Sequence, residues 1–492
     1  MAPPASDLAR GDDVQIQEAS ESLFQFWKVG EGLFLPTSNP EFQLPPPLNF
    51  LLDLVDTLPV TLANKTYRTI MNHALRTLRE LNEDKIIRSL SVTEAHCLHL
   101  VLAMLSLAYI HGSAGEPDGI ALPEPLAKFL FTVSRRIGRG PMLDYAAIVL
   151  SNWRLTEAGE ALMKKEGLSA AEVIARDMDY FRARFLFTGS EDEEHFYRCH
   201  VFIEAKMAQL YSLFATISKA IGRTETTGEA AQKELEASLA IVVQTLEHVA
   251  RVLEEQPAVW RKLEANCNPF VFFYRMRRYL CSLENVVFTG QGTFSFCGPT
   301  GAQSSLLQMI DTALGINAPS GALGDTLSKI RGSKPAAHVH YLQQLSEQCH
   351  GGVQGYLKRL RETAVDSKNE EVVKKAVNLY NKCIHFVCKI REQHLGFVRR
   401  YILEQVKAGA HVSGSGGTAL LPSSSTSSPS SPSPSSPASP SLPERGEEED
   451  KEIHEEKEKG DSRGGDSPVE MLGQQVSTTL EALVTLTVSP AE

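Results

Sequence analysis

One long segment, residues 371–406, constrains the fold of this chain more than any other, because it contains no proline and a single glycine. Its apolar residues recur three or four positions apart, which is the period of an amphipathic helix. The same face carries Arg391 and His394. We therefore predict one long helix whose buried face includes an arginine and a histidine. The apolar positions are Val373, Val377, Tyr380, Ile384, Val387, Val398 and Ile402.

The two polar residues on this face require partners, because an unpaired charge is costly to bury. Arg391 needs an anion, and Asp311 needs a cation because it lies on a mostly apolar predicted helix. We predict that these two side chains pair. His394 has two interpretations: a core histidine hydrogen-bonded to a backbone carbonyl, or a neutral imidazole that is an axial ligand of haem iron.

A second segment, residues 268–280, contains five aromatic and three arginine side chains. Phe273 and Arg277 are four positions apart, so they share a face of a helix. An aromatic ring beside a guanidinium suits a small molecule with a flat ring and a carboxylate, because arginine binds carboxylates through a planar fork. The alternative is that the aromatics lie in the core and the arginines in solvent.

A third segment, residues 296–305, reads Phe-Cys-Gly-Pro-Thr-Gly-Ala-Gln-Ser-Ser. Its small residues end in serines at the expected start of a helix. The first N–H groups of a helix are free to bind a group that lies above them. We predict a loop that presents backbone amides, followed by the helix that carries Asp311.

These segments together resemble the indoleamine 2,3-dioxygenase family, whose members are haem enzymes that oxidise tryptophan. The resemblance covers roughly residues 44–418 and rests on several motifs in the family's order. They are Tyr-Ala-Ala-Ile-Val-Leu-Ser-Asn-Trp at 145–153, His-Val-Phe-Ile-Glu-Ala at 200–205, Phe272-Phe273 with Arg277, Gly-Ala-Gln-Ser-Ser at 301–305 with Asp311, Arg-Glu-Gln-His-Leu at 391–395, and Gly-Ser-Gly-Gly-Thr at 414–418.

The resemblance implies roles for particular residues. His394 matches the proximal haem ligand, and Arg391 and Asp311 match the pair beneath it that orients the ligand helix. Arg277 matches the arginine that holds the substrate carboxylate. The remaining matches surround the substrate: Phe272 and Phe273 at the indole, Tyr145, Val149, Phe196 and His200 in the distal pocket, Thr300 and Gly301 in the loop over the haem, and Ser415 in the Gly-rich loop 412–418 that closes on substrate.

Three positions depart from some members of the family. Pro299 replaces a glycine and removes one N–H, and Cys297 stands where a bulkier or a small polar residue is expected. His200 stands where some members have serine and others histidine. A distal histidine can hydrogen-bond the indole N–H or dioxygen; the alternative is that it is only a pocket wall.

The implied function is insertion of both atoms of O2 across the indole C2–C3 bond of L-tryptophan, which gives N-formylkynurenine. This is the first step of the kynurenine pathway of tryptophan catabolism and NAD biosynthesis. The implied cofactor is haem b, with iron kept ferrous by an electron donor, and related indoleamines are further substrates. No acid–base residue is required. The alternative is an O2-binding or O2-sensing haem protein of the same fold, and a third interpretation is a signalling scaffold that acts through its tail.

Composition excludes some classes of function. The net charge of −11 argues against a nucleic-acid partner. The eight cysteines have no disulfide-like spacing, so we expect free thiols and a cytoplasmic protein. The first residues lack an apolar signal core, and we expect no run of transmembrane length and no membrane partner. We expect a monomer.

The helical periodicity predicts an all-α fold with a smaller N-terminal and a larger C-terminal, haem-binding domain. The predicted units are an arm (1–43), a small domain (44–155), a connection (156–177), a large domain (178–418) and a disordered Ser/Pro-rich and acidic tail (419–492). Helices are expected at 66–81, 91–110, 122–137, 142–153, 196–221, 230–254 and 269–283 and over most of 304–405. Strand-like residues occur only at 287–288 and 294–296.

Overall fold

The computed structural model describes residues 42–113, 118–119, 121–222, 229–316, 328, 330, 334–349, 351–362 and 369–407. Most of these residues are helical and the strands are short, which confirms the predicted all-α class. Most of the N-terminal arm, the loop 412–418 with Ser415, and the tail 419–492 lie outside the described residues. The division into two domains stays a prediction.

The helices and strands are named here in chain order. The α-helices are α1 Phe50–Asp56, α2 Leu58–Ala63, α3 Tyr67–Glu80, α4 Glu83–Ser89, α5 Val92–His111, α6 Glu124–Arg136, α7 Glu157–Glu166, α8 Ala170–Arg176, α9 Glu191–Met207, α10 Leu210–Ile221, α11 Glu229–Ala265, α12 Pro269–Val271, α13 Ser305–Leu314, α14 Ala336–Cys349, α15 Gly352–Glu362, α16 Glu370–Val398 and α17 Glu404–Lys407. The strands are β1 Ala121–Leu122, β2 Trp153–Leu155, β3 Phe181–Ala183, β4 Leu283–Phe288 and β5 Gly292–Phe296.

Several segments have tighter or wider helical turns. Three are π-helical, at Ala146–Leu150, Phe272–Met276 and Arg399–Leu403. Others are 3₁₀-helical, at Met178–Tyr180, Arg277–Leu280 and Gly301–Gln303.

Helix α5 forms the core of the N-terminal half. Ser91 and Glu94 start it with a capping box, in which the Glu94 backbone N–H donates to Ser91 Oγ (3.2 Å) and the Ser91 N–H donates to the Glu94 carboxylate (2.6 Å). By length and composition alone α5 also qualifies as a membrane span, contrary to the expectation that no such run exists. Since 83% of its most apolar window is buried inside the protein, it is a core helix.

Helices α11 and α16 pack along each other and form the core of the C-terminal half. The buried residues of α16 follow the predicted stripe from Val373 to Val387. Beyond this point the buried positions are Ile390, Phe397, Tyr401 and Val406, while Val398 and Ile402 are only half-buried. The predicted stripe was therefore wrong at Val398 and Ile402, although α11 still contacts this end of α16 through Trp260.

The predicted helix 230–254 is longer than expected, because α11 continues through Pro257 to Ala265. A proline removes one backbone hydrogen bond and normally ends a helix. Packing against α16 outweighs this local preference. The predicted helix 196–221 is likewise two helices, α9 and α10, that meet at Ala208 and Gln209.

Residues 156–177, the predicted connection between the two domains, contain two helices that were not predicted, α7 and α8; their role as a connection stays a prediction. Thr156 caps α7, and Ser169 with Glu172 forms the capping box that starts α8. Gly159 lies within α7, where a Cβ would overlap the Tyr180 carbonyl oxygen, so the close approach of the chain explains this glycine.

Residues 142–153, predicted as an α-helix, form the π-helical turn 146–150 followed by β2. The predicted strand residues are confirmed in β4 and β5, which pair antiparallel. Three very short strands were not predicted: β1 pairs parallel to β4, and β2 pairs antiparallel to β3. Strands of two or three residues carry too little alternation to be read from sequence.

The eight cysteines are free thiols, as predicted, and six of them are buried. Burial raises the pKa of the Cys349 thiol, and raises the pKa to about 12 for Cys97, Cys199, Cys267 and Cys383. They behave as small core residues.

The 3₁₀ turn at Arg277–Leu280 is hydrogen-bonded to the C-terminal end of α5 and the residues that follow it. Tyr279 Oη donates to the Gly112 carbonyl (2.9 Å), and Arg278 donates to the carbonyls of His111 and Ser113, the latter at 2.9 Å. The Tyr279 ring also stacks on Phe187, with centroids 4.6 Å apart. Residues far apart in sequence thus hold this turn at a fixed position.

We predict that Tyr279→Phe lowers the free energy of unfolding by about 1–2 kcal/mol, because a buried hydroxyl–carbonyl hydrogen bond is lost while the stacking remains. Urea unfolding measures the change. Tyr109→Phe is the matched control, since its hydroxyl donates to Asn72 near solvent (2.9 Å) and its loss should cost less than about 0.5 kcal/mol. Equal effects of the two variants would contradict the prediction.

Candidate functional site

His394 lies on α16 in line with the buried stripe, but its own side chain is exposed. Burial by the surrounding protein and the charge of Arg391 nevertheless lower the pKa of His394 below its ordinary value. The Trp260 ring of α11 packs edge-on against the His394 ring, with centroids 5.8 Å apart. His394 is therefore a neutral imidazole, and we call the space beside its ring the recess.

The predicted pair of Arg391 and Asp311 is present. Arg391 Nη2 donates to Asp311 Oδ1, which joins α16 to α13 one turn before His394. Both side chains are partly shielded from solvent, so this ion pair is screened less than one on the open surface. It fixes the rotation of α16 relative to α13.

His200 faces the same recess from α9. Its Nδ1–H donates to the Phe196 carbonyl (2.8 Å), so Nε2 is the atom left as an acceptor. Burial lowers the pKa of His200 to about 4, and the charge of His394 contributes to the lowering. His200 is therefore neutral at physiological pH, and the Phe196 ring that contacts it also packs against Phe397, three residues after His394.

Aromatic rings connect His200 to the segment at 268–280. The Phe196 ring lies 4.5 Å from His200 and 5.1 Å from Phe272, centroid to centroid. Phe397 and Tyr401 complete the cluster, stacked on each other at 3.8 Å. Sequence reasoning missed these last two. The signal was available, because they follow His394 at spacings of three and seven on one helix face.

Arg277 is a buried cation in the segment at 268–280. Its side chain is buried, with 3% of the residue exposed, and its Nη1 has no hydrogen-bond acceptor among the described residues. Burial lowers the pKa of Arg277 from its ordinary value. Its guanidinium lies 5.4 Å from the centroid of the Phe273 ring. A buried guanidinium with an unused N–H requires an anion.

Tyr145 and Val149 are buried, as expected of pocket walls, at the start and within the π-helical turn 146–150. The Tyr145 hydroxyl is not available to a bound molecule. It donates to Glu204 (3.0 Å), while the ring packs edge-on against His200 with centroids 6.2 Å apart. Glu204 belongs to the motif at 200–205 but was not among the predicted site residues.

The predicted amide-presenting loop is a capped 3₁₀ turn. Thr300 Oγ1 accepts from the Ala302 N–H (3.4 Å), and Gln303 Oε1 accepts from the N–H groups of Thr300 (3.3 Å) and Tyr145 (2.9 Å). The Thr300 hydroxyl therefore caps the 3₁₀ turn that follows it. A Cβ added at Gly301 would meet nothing within 4 Å, so this position borders open space.

The two unusual residues before this turn have local roles. Pro299 is buried, and the Cys297 thiol donates to the Gly298 carbonyl (3.4 Å). Gly298 is tightly enclosed, since a Cβ there would overlap the carbonyl of Cys281. The structure thus gives Cys297 and Pro299 packing roles beside the turn.

The recess has the donor set of a haem site rather than of a metal held by protein alone. Within the described ranges, no group of three His, Cys, Asp or Glu side chains could hold a metal ion. A single neutral imidazole, oriented by an ion pair one turn away, suits an iron whose other ligands come from a macrocycle. The chemistry of His394 therefore fits haem.

The chain is similar to one family of enzymes along most of its length. Residues 25–482 match the sequence model of the indoleamine 2,3-dioxygenase family. Indoleamine 2,3-dioxygenase of Saccharomyces cerevisiae is 26% identical over 394 residues, which is 73% of this chain and 80% of the relative. Indoleamine 2,3-dioxygenase 1 of Mus musculus is 24% identical over 405 residues, covering 79% and 87%.

A third relative, 6-hydroxytryptophan 2,3-dioxygenase of Fusarium equiseti, is 24% identical over 382 residues, covering 75% of this chain and 82% of the relative. These identities are low, but each match extends over most of both chains. Because the family model also spans nearly the whole sequence, the resemblance read from the motifs is confirmed, and this chain belongs to the indoleamine 2,3-dioxygenase family.

Proposed function

We propose that this protein is a haem b-dependent dioxygenase that inserts both atoms of O2 across the indole C2–C3 bond of L-tryptophan and so forms N-formylkynurenine, the first step of the kynurenine pathway. The observation that carries the proposal is Arg277, a buried guanidinium with an unused N–H beside aromatic rings. It is the complement of an aromatic amino acid. The names of the relatives support the same class of substrate.

The haem would be held by His394, with Arg391 and Asp311 keeping α16 in the orientation that the ligand requires. Lowering of the His394 pKa keeps the imidazole neutral, which is the form that binds iron. When bound, the haem supplies the activation of dioxygen. An electron donor that keeps the iron ferrous is a further expected partner.

The substrate would be held at both ends. Arg277 binds its carboxylate through a planar pair of N–H donors, and Phe272 and Phe273 contact the indole. His200 Nε2 accepts from the indole N–H, because Nδ1 is already committed to the Phe196 carbonyl. This bonding makes His200 an acceptor, which favours contact with the indole over donation to dioxygen.

The protein contributes position rather than proton transfer. A substrate fixed at its carboxylate and its indole N–H exposes the C2–C3 bond in one orientation, and orientation alone lowers a barrier by several kcal/mol (about 7–11 in the most favourable cases). The aromatic cluster around Phe196 keeps water away from the ring. No acid–base residue is needed.

An O2-binding or O2-sensing haem protein is the second candidate, since His394 and its ion pair would hold haem in either case. Such a protein has no use for a buried carboxylate clamp. Arg277 therefore favours the dioxygenase. We further propose a cytoplasmic monomer that acts without nucleic acid or membrane.

Arg277→Ala should lower kcat/KM for L-tryptophan by about 100-fold or more, because a desolvated charge pair is lost, and should leave the haem absorbance unchanged. The assay follows N-formylkynurenine after anaerobic reduction of haem-loaded protein and addition of L-tryptophan and air. Arg275→Ala is the matched control, because Arg275 is exposed on the same π-helical turn. Wild-type protein that takes up haem and O2 but yields no product would favour the second candidate.

His394→Ala should abolish stable haem binding, since the remaining contacts supply no ligand to the iron. Haem content per chain, measured as the pyridine haemochrome after gel filtration, reports the loss. His385→Ala, an exposed histidine nine residues earlier on α16, should keep full haem content. Full occupancy in His394→Ala would refute the assignment of the ligand.

A further inference from the structure

Glu204 is a buried carboxyl that the proposed mechanism does not use. It lies on α9 one helical turn after His200, which is itself one turn after Phe196. Residues spaced by four share a helix face, so Glu204 continues the face that borders the recess. Only 4% of the residue is exposed. A buried carboxyl needs hydrogen bonds to offset its desolvation.

Two hydroxyl groups from other segments supply these hydrogen bonds. Tyr145 Oη donates to Glu204 Oε1 at 3.0 Å, and Ser304 Oγ donates to the same oxygen at 2.7 Å. Each hydroxyl has one hydrogen, so both are committed to Glu204. An ionised carboxylate accepts such bonds more strongly than a protonated one.

The two donors belong to different elements of the fold. The Tyr145 ring packs edge-on against His200. Ser304 is the N-cap of α13, where its oxygen also accepts from the Leu307 N–H (3.4 Å), and α13 carries Asp311. One carboxylate therefore joins α9, the π-helical turn after Tyr145 and the start of α13.

We propose that Glu204 is a positioning residue, whose ionised carboxylate holds Tyr145 against His200, keeps the His200 acceptor in place for the indole N–H, and thereby couples tryptophan affinity to pH. This inference rests on the proposed function. Glu204 touches neither substrate nor cofactor in this scheme and acts through its neighbours.

The surroundings of Glu204 set the pH at which it ionises. Burial raises its pKa to about 7, while the hydrogen bonds from Ser304 and Tyr145 and the charge of Lys334 act in the opposite direction. Lys334 precedes α14 and is itself held by the Ser304 carbonyl (3.4 Å) and by Gln308. On the same helix, His200 titrates near pH 4 and remains neutral across the neutral range.

The expected pH dependence follows directly. Above pH 7 Glu204 is ionised and accepts strong hydrogen bonds from both hydroxyls. Below pH 7 it takes up a proton and accepts these hydrogen bonds less strongly. The KM for L-tryptophan should therefore rise as the pH falls from 8.5 to 5.5, by about tenfold if one charge-assisted hydrogen bond is lost. The kcat should change less than KM, because substrate bound at saturation keeps His200 in its productive position.

Glu204→Gln tests the proposal in the haem-loaded full chain. The amide keeps the shape but carries no charge, so KM should lose its pH dependence and stay at the wild-type acid value. Glu193→Gln is the matched control. Glu193 lies on the same helix, is also buried, and also accepts from a tyrosine, Tyr197 (3.1 Å), but its other donors are Phe187 and Thr188, before α9. This variant should keep the wild-type pH profile.

A wild-type pH profile in Glu204→Gln would overturn the proposal, and so would loss of the profile in Glu193→Gln. Tyr145→Phe gives an independent variant if Glu204→Gln folds poorly. It removes one donor and should raise KM at pH 8 to the acid value; an unchanged KM at pH 8 would count against the proposal. Absence of turnover by the wild type at every pH would refute the proposed function instead.

Unfolding in urea supplies a readout that does not depend on turnover. The pKa of Glu204 is about 7 in the folded protein, against an ordinary value of 4.5. Between pH 4.5 and pH 7 the folded protein therefore keeps a proton on Glu204 that the unfolded chain has lost. The free energy of unfolding should therefore fall from pH 5 to pH 8 more steeply in the wild type than in Glu204→Gln. Parallel curves would show that Glu204 does not ionise near neutral pH.

Discussion

The packing of α16 against α11 is the constraint on which the recess depends. From Val373 to Val387 the apolar face of α16 is sealed by its neighbours. Because the helix continues without interruption, its periodicity carries the same face past Arg391 to His394, which contacts Trp260 of α11 and is still exposed. The position of the imidazole is thus a consequence of core packing about two turns before it, at Val387. The ion pair with Asp311 then removes the remaining freedom of rotation.

The walls of the recess share a second feature, which is irregular helical geometry. The turn after Tyr145, the turn that carries Phe272 and Phe273, and the turn that follows Phe397 are all π-helical. A π-helical turn accommodates one more residue than an α-helical turn, and such turns are frequent at functional sites. Each redirects the side chains that follow it. Arg277 follows one of these turns and is then fixed by the anchored Arg278 and Tyr279.

Sequence reasoning reached the helical class and the Arg391–Asp311 pair because both follow from local periodicity and from the cost of a buried charge. It missed the helices at 157–176, because Gly159 indicates a loop unless the close approach of Tyr180 is known. It predicted an α-helix at 142–153, because nothing in an apolar run distinguishes α from π geometry. Glu204 was overlooked for a similar reason: its two donors, Tyr145 and Ser304, come from distant parts of the chain. Contacts of that range are not contained in any periodicity.

The buried thiols have a consequence for the lifetime of such a protein. Oxidation of cysteine proceeds through the thiolate, and a thiol with a pKa of about 12 is ionised at pH 7 in only about one molecule in 100,000. Cys199 directly precedes His200, and Cys267 directly precedes the segment that carries Arg277. The proposed reaction would handle dioxygen next to these residues, and leakage from it would generate oxidants that attack sulfur. Burial of the sulfur atoms would protect the walls of the recess from the proposed chemistry.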